Sequence, residues 1–145
     1  MCHVERKPYE PPTLILDTNV FIAAYWSPAS ASARLIDACV RGKAIAHYSS
    51  PIRGEVDRLL RTIGLPESYV RGLDAFWQTA LEVQPVPVDP IRAQDPEDQK
   101  FLEAAAGGET DFLVTNDDHL LAVGYVGRTE ILTPRSALAI VARYR

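Results

Sequence analysis

The chain has 145 residues, 47% of them apolar and 23% charged, and a formal net charge of −4. That is the size of one domain with a sizeable core and the composition of an ordinary globular protein. No apolar run approaches the ~18 residues needed to cross a membrane, and Met1-Cys2-His3-Val4-Glu5-Arg6 lacks the apolar core of a signal peptide, so a cytoplasmic location is expected.

Two cysteines exclude a disulfide framework. Cys39 falls on an apolar helix face and reads as a small core residue. Cys2 and His3 have no CxxC or second pair with which to build a zinc site. Arg34, Arg41, Lys43, Arg53, Arg58, Arg61, Arg92 and Lys100 are scattered, so the footprint of a tight, sequence-independent nucleic-acid binder is absent. The negative balance still admits a nucleic-acid enzyme whose acids are offset by bound metal.

Residues 1–12 hold Pro8, Pro11 and Pro12 without an apolar period and are expected to form an extended or mobile tail ahead of a single domain over residues 13–145. Thr13-Leu14-Ile15-Leu16 is a short apolar run, consistent with a buried strand. Asn19 to Tyr25 suits a short helix stopped near Pro28. Ser30 or Ser32 caps a second helix with Leu35, Ile36, Cys39 and Val40 as its stripe and Gly42 at its end. Ala44 to Tyr48 reads as a second strand. Ser50-Pro51 is an N-cap followed by proline, opening a helix with Ile52, Val56, Leu59, Leu60 and Ile63 inward and Gly64 closing it.

Pro66-Glu67 begins a helix to about Val83, with Tyr69, Val70, Leu73, Phe76, Trp77, Ala80 and Leu81 at helical spacing, a stripe suited to a core or a dimer face. Val86-Pro87-Val88 is at best a short edge strand, given its prolines. Asp95-Pro96 caps a helix through Ala106, terminated by Gly107-Gly108. Asp111 to Thr115 and Glu130 to Thr133 are the fourth and fifth strands, and Pro134 to Arg143 a closing amphipathic helix. Strands alternating with helices predict an α/β fold of three layers, α/β/α, around a central, mostly parallel five-stranded sheet.

Four carboxylates stand where such a fold collects ligands: Asp17, Glu55, Asp98 and Asp117. Asp17 and Asp117 each follow an apolar strand, and parallel sheets bind ligands beyond the carboxyl ends of their strands. Each also precedes a helix start, so a plain capping role competes. Asp95 is the better cap for its helix, which leaves Asp98 free. Glu55 shares a helical face with Leu59 and points partly inward, towards Arg58 or towards the other acids. Asn19 and Thr115 flank the strand-end acids, either orienting them by hydrogen bonds or capping local turns. Clustered like charges raise one another's pKa and repel unless a cation sits among them. An oxygen-only set selects hard divalent ions such as Mg²⁺ or Mn²⁺. The pattern points to a metal-dependent phosphodiesterase site.

Other chemistries lack their residues. His3, His47 and His119 have no i, i+4 partner, which excludes a zincin. Ser49-Ser50 has no Gly-x-Ser-x-Gly elbow, and the glycines make neither a P-loop nor a dinucleotide fingerprint.

From Leu14 to Val141 the chain resembles the PIN-domain family of metal-dependent ribonucleases, and within it the small VapC-type toxins of toxin–antitoxin pairs. Leu16-Asp17-Thr18-Asn19-Val20 resembles the family's opening motif, and Ser49-Ser50-Pro51-Ile52-Arg53-Gly54-Glu55-Val56 its second-acid helix. Asp95-Pro96-Glu97-Asp98-Gln99-Lys100-Phe101-Leu102 resembles the third, and Asp111-Phe112-Leu113-Val114-Thr115-Asn116-Asp117 the fourth. Leu120-Leu121 and Ile131-Leu132-Thr133-Pro134 fit the same branch. Asn116 departs from the small residue many relatives have there. His119 stands where many carry a further acid, with Asp118 beside it.

The resemblance implies that Asp17, Glu55, Asp98 and Asp117 are both catalytic and metal-binding, with Asn19 and Thr115 supporting them. It implies one or two Mg²⁺ or Mn²⁺ ions, single-stranded or looped RNA as substrate, a cognate antitoxin that blocks the cleft, and a homodimer. A silent PIN module acting as an RNA- or protein-binding scaffold is the alternative. A haloacid-dehalogenase-type phosphatase also has an acid after strand 1, but needs a second where Asn19 stands.

Overall fold

The computed structural model describes residues 10–143. Cys2, His3 and most of the expected tail lie outside them. Pro12 already belongs to the fold: it is buried, and its carbonyl accepts the Ile45 amide at 2.8 Å.

The central strand β1 (Thr13–Leu16) is flanked in parallel by β2 (Ile45–Tyr48) and β4 (Phe112–Val114). Outside β2 lies the two-residue parallel strand β3 (Leu81–Glu82). Outside β4 lies β6 (Thr129–Leu132), also parallel, with β5 (Tyr125–Val126) antiparallel at the edge. The order is β3-β2-β1-β4-β6-β5. Leu14, Ile15, Leu113 and Val114 are fully buried, as strands covered by helices on both faces must be. Asp111 ties the start of β4 to that of β1: its Oδ2 accepts the Thr13 amide at 2.9 Å and hydroxyl at 3.0 Å.

The helices are α1 (Thr18–Trp26), α2 (Ala31–Val40), α3 (Ser50–Thr62), α4 (Glu67–Gly72), α5 (Asp74–Thr79), α6 (Gln99–Gly108), α7 (Asp118–Val123) and α8 (Pro134–Val141). α2 packs on α1, α5 and α8, while α6 lies against β1, β2 and β4. Ser30 caps α2 as expected, accepting the Ala33 amide at 3.2 Å. The cap of α3 is Ser49, which accepts the Ile52 amide, with Ser50 and Pro51 in its first turn.

Three expectations change. The sheet has six strands, because Gly127 (φ 56°) and Arg128 form a two-residue turn that folds Tyr125-Val126 back on Thr129-Glu130. The helix expected over 67–83 breaks at Leu73 and ends at Thr79. The edge strand then forms at Leu81–Glu82, not at 86–88, because Pro85 and Pro87 have no N–H to donate. The aromatic stripe belongs to the core: Phe76 and Trp77 are 2% and 5% exposed and pack on Phe21 with ring centroids 5.3 and 5.7 Å away. They are therefore not available as a dimer face.

Candidate metal-binding cleft

Because β1 and β4 are adjacent and parallel, their carboxyl ends emerge side by side, and the ladder runs one step further through the Asp17 amide to the Val114 carbonyl (2.9 Å). Asp17 sits at the N-cap of α1 but its side chain makes no cap hydrogen bond, so the capping explanation for it fails. Its Oδ2 instead accepts from the Thr115 hydroxyl at 2.6 Å and from Asn19 Nδ2 at 2.9 Å. Thr115 also accepts the Asp117 amide at 2.9 Å, and Asn19 Oδ1 accepts the Asn116 amide at 3.4 Å. The two polar neighbours therefore tie the two strand ends together.

Asp117 does cap its helix, taking the His119 amide on Oδ1 at 2.8 Å, which leaves Oδ2 for other work. Asp98 closes a single 3-10 turn (Pro96–Asp98) whose cap is Asp95, and its own side chain caps nothing. Glu55 comes in from α3 and is 8% exposed. Its partner is Lys100 at 2.5 Å, not Arg58, and its second oxygen accepts the Thr18 hydroxyl at 2.6 Å. Lys100 reaches Glu97 as well, at 3.3 Å.

All four acids line one cleft of about 460 Å³ together with Asn19 and Arg58. Burial, reinforced by the charges of Asp17, Asp117 and Asp95 and by a hydrogen bond to Asp117, pushes the Asp98 carboxyl up to about 7. Burial also raises Asp17. Thr115 and the Thr18 amide oppose that rise, while Glu55 and Asp117 add to it. Burial works against the Lys100 ammonium, but its hydrogen bonds to Glu55 and Glu97 and their charges hold it above its ordinary value.

Carboxyls in hydrogen-bonding contact, such as Asp98 and Asp117, need either a shared proton or a cation between them. Hard oxygen donors of this kind suit Mg²⁺ or Mn²⁺. Among the described residues, no three His, Cys, Asp or Glu side chains form a metal-holding group as they stand. The donor type fits the ion, although these side chains are not gathered into such a group.

The four acids expected from the sequence and Asn19 line this cleft, Thr115 is buried behind Asp17, and Thr18 and Lys100 were not singled out in the sequence. The i, i+3 pair of Glu97 and Lys100 was visible, but the link to Glu55 crosses 45 residues and has no sequence signature. His119 is exposed and lies outside the cleft lining.

Residues 13–119 match the sequence profile of the PIN domain. No curated protein matches the chain significantly. In structure the chain is similar to the crystal structure of PAE2754 from Pyrobaculum aerophilum, with a TM-score of 0.58 at 15% identity over 91% of this chain and 98% of that one. At that identity the likeness speaks for the fold alone.

Proposed function

The chain belongs to the PIN-domain family, generally a nuclease fold, and on that premise we propose that it is a metal-dependent endoribonuclease hydrolysing RNA phosphodiester bonds. The observation that carries this reading is the convergence of Asp17, Glu55, Asp98 and Asp117 on one cleft, with the Asp98 carboxyl raised to about 7 by burial and, beyond that, by the neighbouring acids. Such a cluster is destabilising until a cation enters it.

Asp17, Asp98 and Asp117 would hold Mg²⁺ or Mn²⁺. When bound, the ion supplies Lewis acidity at a phosphate oxygen and lowers the pKa of a coordinated water. Thr115 and Asn19 fix the Asp17 carboxylate through Oδ2. Arg58 lines the same cleft and offers a guanidinium for an incoming phosphate. No protein nucleophile is required by that chemistry, and among the described residues no Ser, Cys or His lines the cleft.

RNA is preferred to DNA on the strength of the motif resemblance, and so is the role of a toxin held in check by an antitoxin in the cytoplasm. Such an antitoxin would present a cation to the acids, as an Arg or Lys does. Among the described residues no helix is long and apolar enough to cross a membrane. Incubation with Mn²⁺ and labelled single-stranded RNA or DNA of the same sequence separates the substrates. Products from RNA alone support the reading; products from DNA alone overturn its substrate assignment.

A further inference from the structure

Tyr48, Ser50, Arg53, Gly54, Asp57 and Glu82 line an open cavity of about 330 Å³ that shares no residue with the acidic cleft. Its walls come from the end of β2, one face of α3 and the edge strand β3. Ser50, Arg53, Gly54 and Asp57 follow helical spacing on that face, while Glu55, Arg58 and Leu59 turn another face of α3 to the cleft. β1, β2 and β3 are parallel, so both openings stand at the carboxyl edge of the sheet. A single helix, about 10–12 Å across, separates them.

Arg53 is held in this cavity without a salt bridge. Its guanidinium lies over the rings of Trp77 and Tyr48, with Cζ 5.1 and 5.9 Å from their centroids, and the two rings pack edge to face at 5.4 Å. Among the described residues no carboxylate is within ion-pair distance of Arg53, although Asp57 and Glu82 line the same cavity. A guanidinium held by its flat face keeps its N–H edge free for a ligand. Glu82 stands opposite Tyr48 in the β2–β3 register, and among the described residues it has no cation within ion-pair distance.

One guanidinium against two carboxylates disfavours a phosphate here. The lining favours a neutral, planar group with an acceptor edge for Arg53 and a donor edge for Glu82. Among the RNA bases, guanine alone presents paired acceptors, O6 and N7, and paired donors, N1–H and the N2 amino group.

We propose that this cavity receives an unpaired guanine of the substrate RNA, with Arg53 donating to O6 and N7 and Glu82 accepting from N1–H and the N2 amino group. The proposal rests on the ribonuclease reading above and adds a base preference close to the cleavage site. Gly54, with nothing within 4 Å of its Cβ position, keeps a side chain out of the opening.

The test titrates guanosine, adenosine, cytidine and uridine separately into the whole chain, in EDTA, by proton NMR. The indole N–H of Trp77, which lies beneath Arg53, reports on the cavity, and Trp26→Phe assigns its resonance, since the chain has two tryptophans. Guanosine should move that resonance saturably and bind roughly 5–100-fold more tightly than the other three. Arg53→Met and Glu82→Gln should each abolish the preference, and in Mn²⁺ wild type should cut single-stranded RNA beside guanines. Equal binding of the four nucleosides, or a preference that survives in a folded Arg53→Met or Glu82→Gln, would overturn the proposal. Glu82 is exposed, so Glu82→Gln decides alone if Arg53→Met does not fold. RNA cut without regard to guanine overturns the proposal and leaves the ribonuclease reading standing. Selective guanosine binding by a chain that cleaves no RNA defeats the ribonuclease reading and upholds the guanine pocket.

Discussion

The Thr115 hydroxyl donates to Asp17 Oδ2 at 2.6 Å, and its Oγ1 accepts the Asp117 amide at 2.9 Å. One side chain thus sets the position of both strand-end acids. It is fully buried, so water cannot take its place. Thr115→Val keeps the shape and removes both hydrogen bonds. The expected result is a fold retained by circular dichroism and Mn²⁺ affinity reduced by about 10–100-fold in calorimetry. Unchanged affinity would mean that Thr115 only closes a turn.

The elevated Asp98 carboxyl carries a pH dependence of stability. Folded Asp98 holds its proton up to about pH 7, whereas the unfolded group releases it near 3.8. Between those values the folded state binds more protons, so the metal-free protein loses stability as pH rises through the window. Asp17 is shifted in the same direction and adds to the trend. Asp98→Asn should therefore melt above wild type at pH 8 in a chelator and lose that advantage at pH 4. A variant that melts lower at pH 8 would show that the Asp98 charge is compensated in the metal-free protein.

Gly107 and Gly54 are both helical glycines and should respond oppositely to alanine. A Cβ on Gly107 would lie 1.7 Å from the Gln84 carbonyl oxygen, so the 84–85 backbone would have to move. Gly107→Ala should cost about 1–3 kcal/mol in urea denaturation, as overpacking does. Gly54 has nothing within 4 Å of its Cβ position. Gly54→Ala should instead stabilise α3 by about 0.5–1 kcal/mol. The contrast tests whether α6 packs against the 83–85 segment as described.

The elements that sequence reading found and missed differ in how local their causes are. β1, β2, β4 and β6 were legible because apolar runs bounded by Pro, Gly and Asp are local signals, and so were the starts of α2 and α3 at serines. The acids were legible because strand ends and cap positions can be counted along the chain. The break at Leu73 was not, since a helical stripe continues through it. There the chain turns to put Phe76 and Trp77 against Phe21, a contact across more than 50 residues. β3 and β5 are two residues long, too short for any period to register. The pairing of Lys100 with Glu55 was hidden for the same reason as the aromatic packing: it exists only once α3 and α6 are side by side. Gly107 was read as a helix stop, whereas its lack of a Cβ serves the approach of Gln84.

A metal-dependent ribonuclease site at these acids is open to a single cleavage assay. Wild type and Asp98→Asn, purified identically, are incubated with labelled single-stranded RNA and Mn²⁺, with EDTA as the control. Wild type should cleave the RNA, EDTA should abolish that cleavage, and Asp98→Asn should lack it. Cleavage of equal rate by both proteins, or a folded, Mn²⁺-loaded wild type that leaves RNA intact, would contradict this.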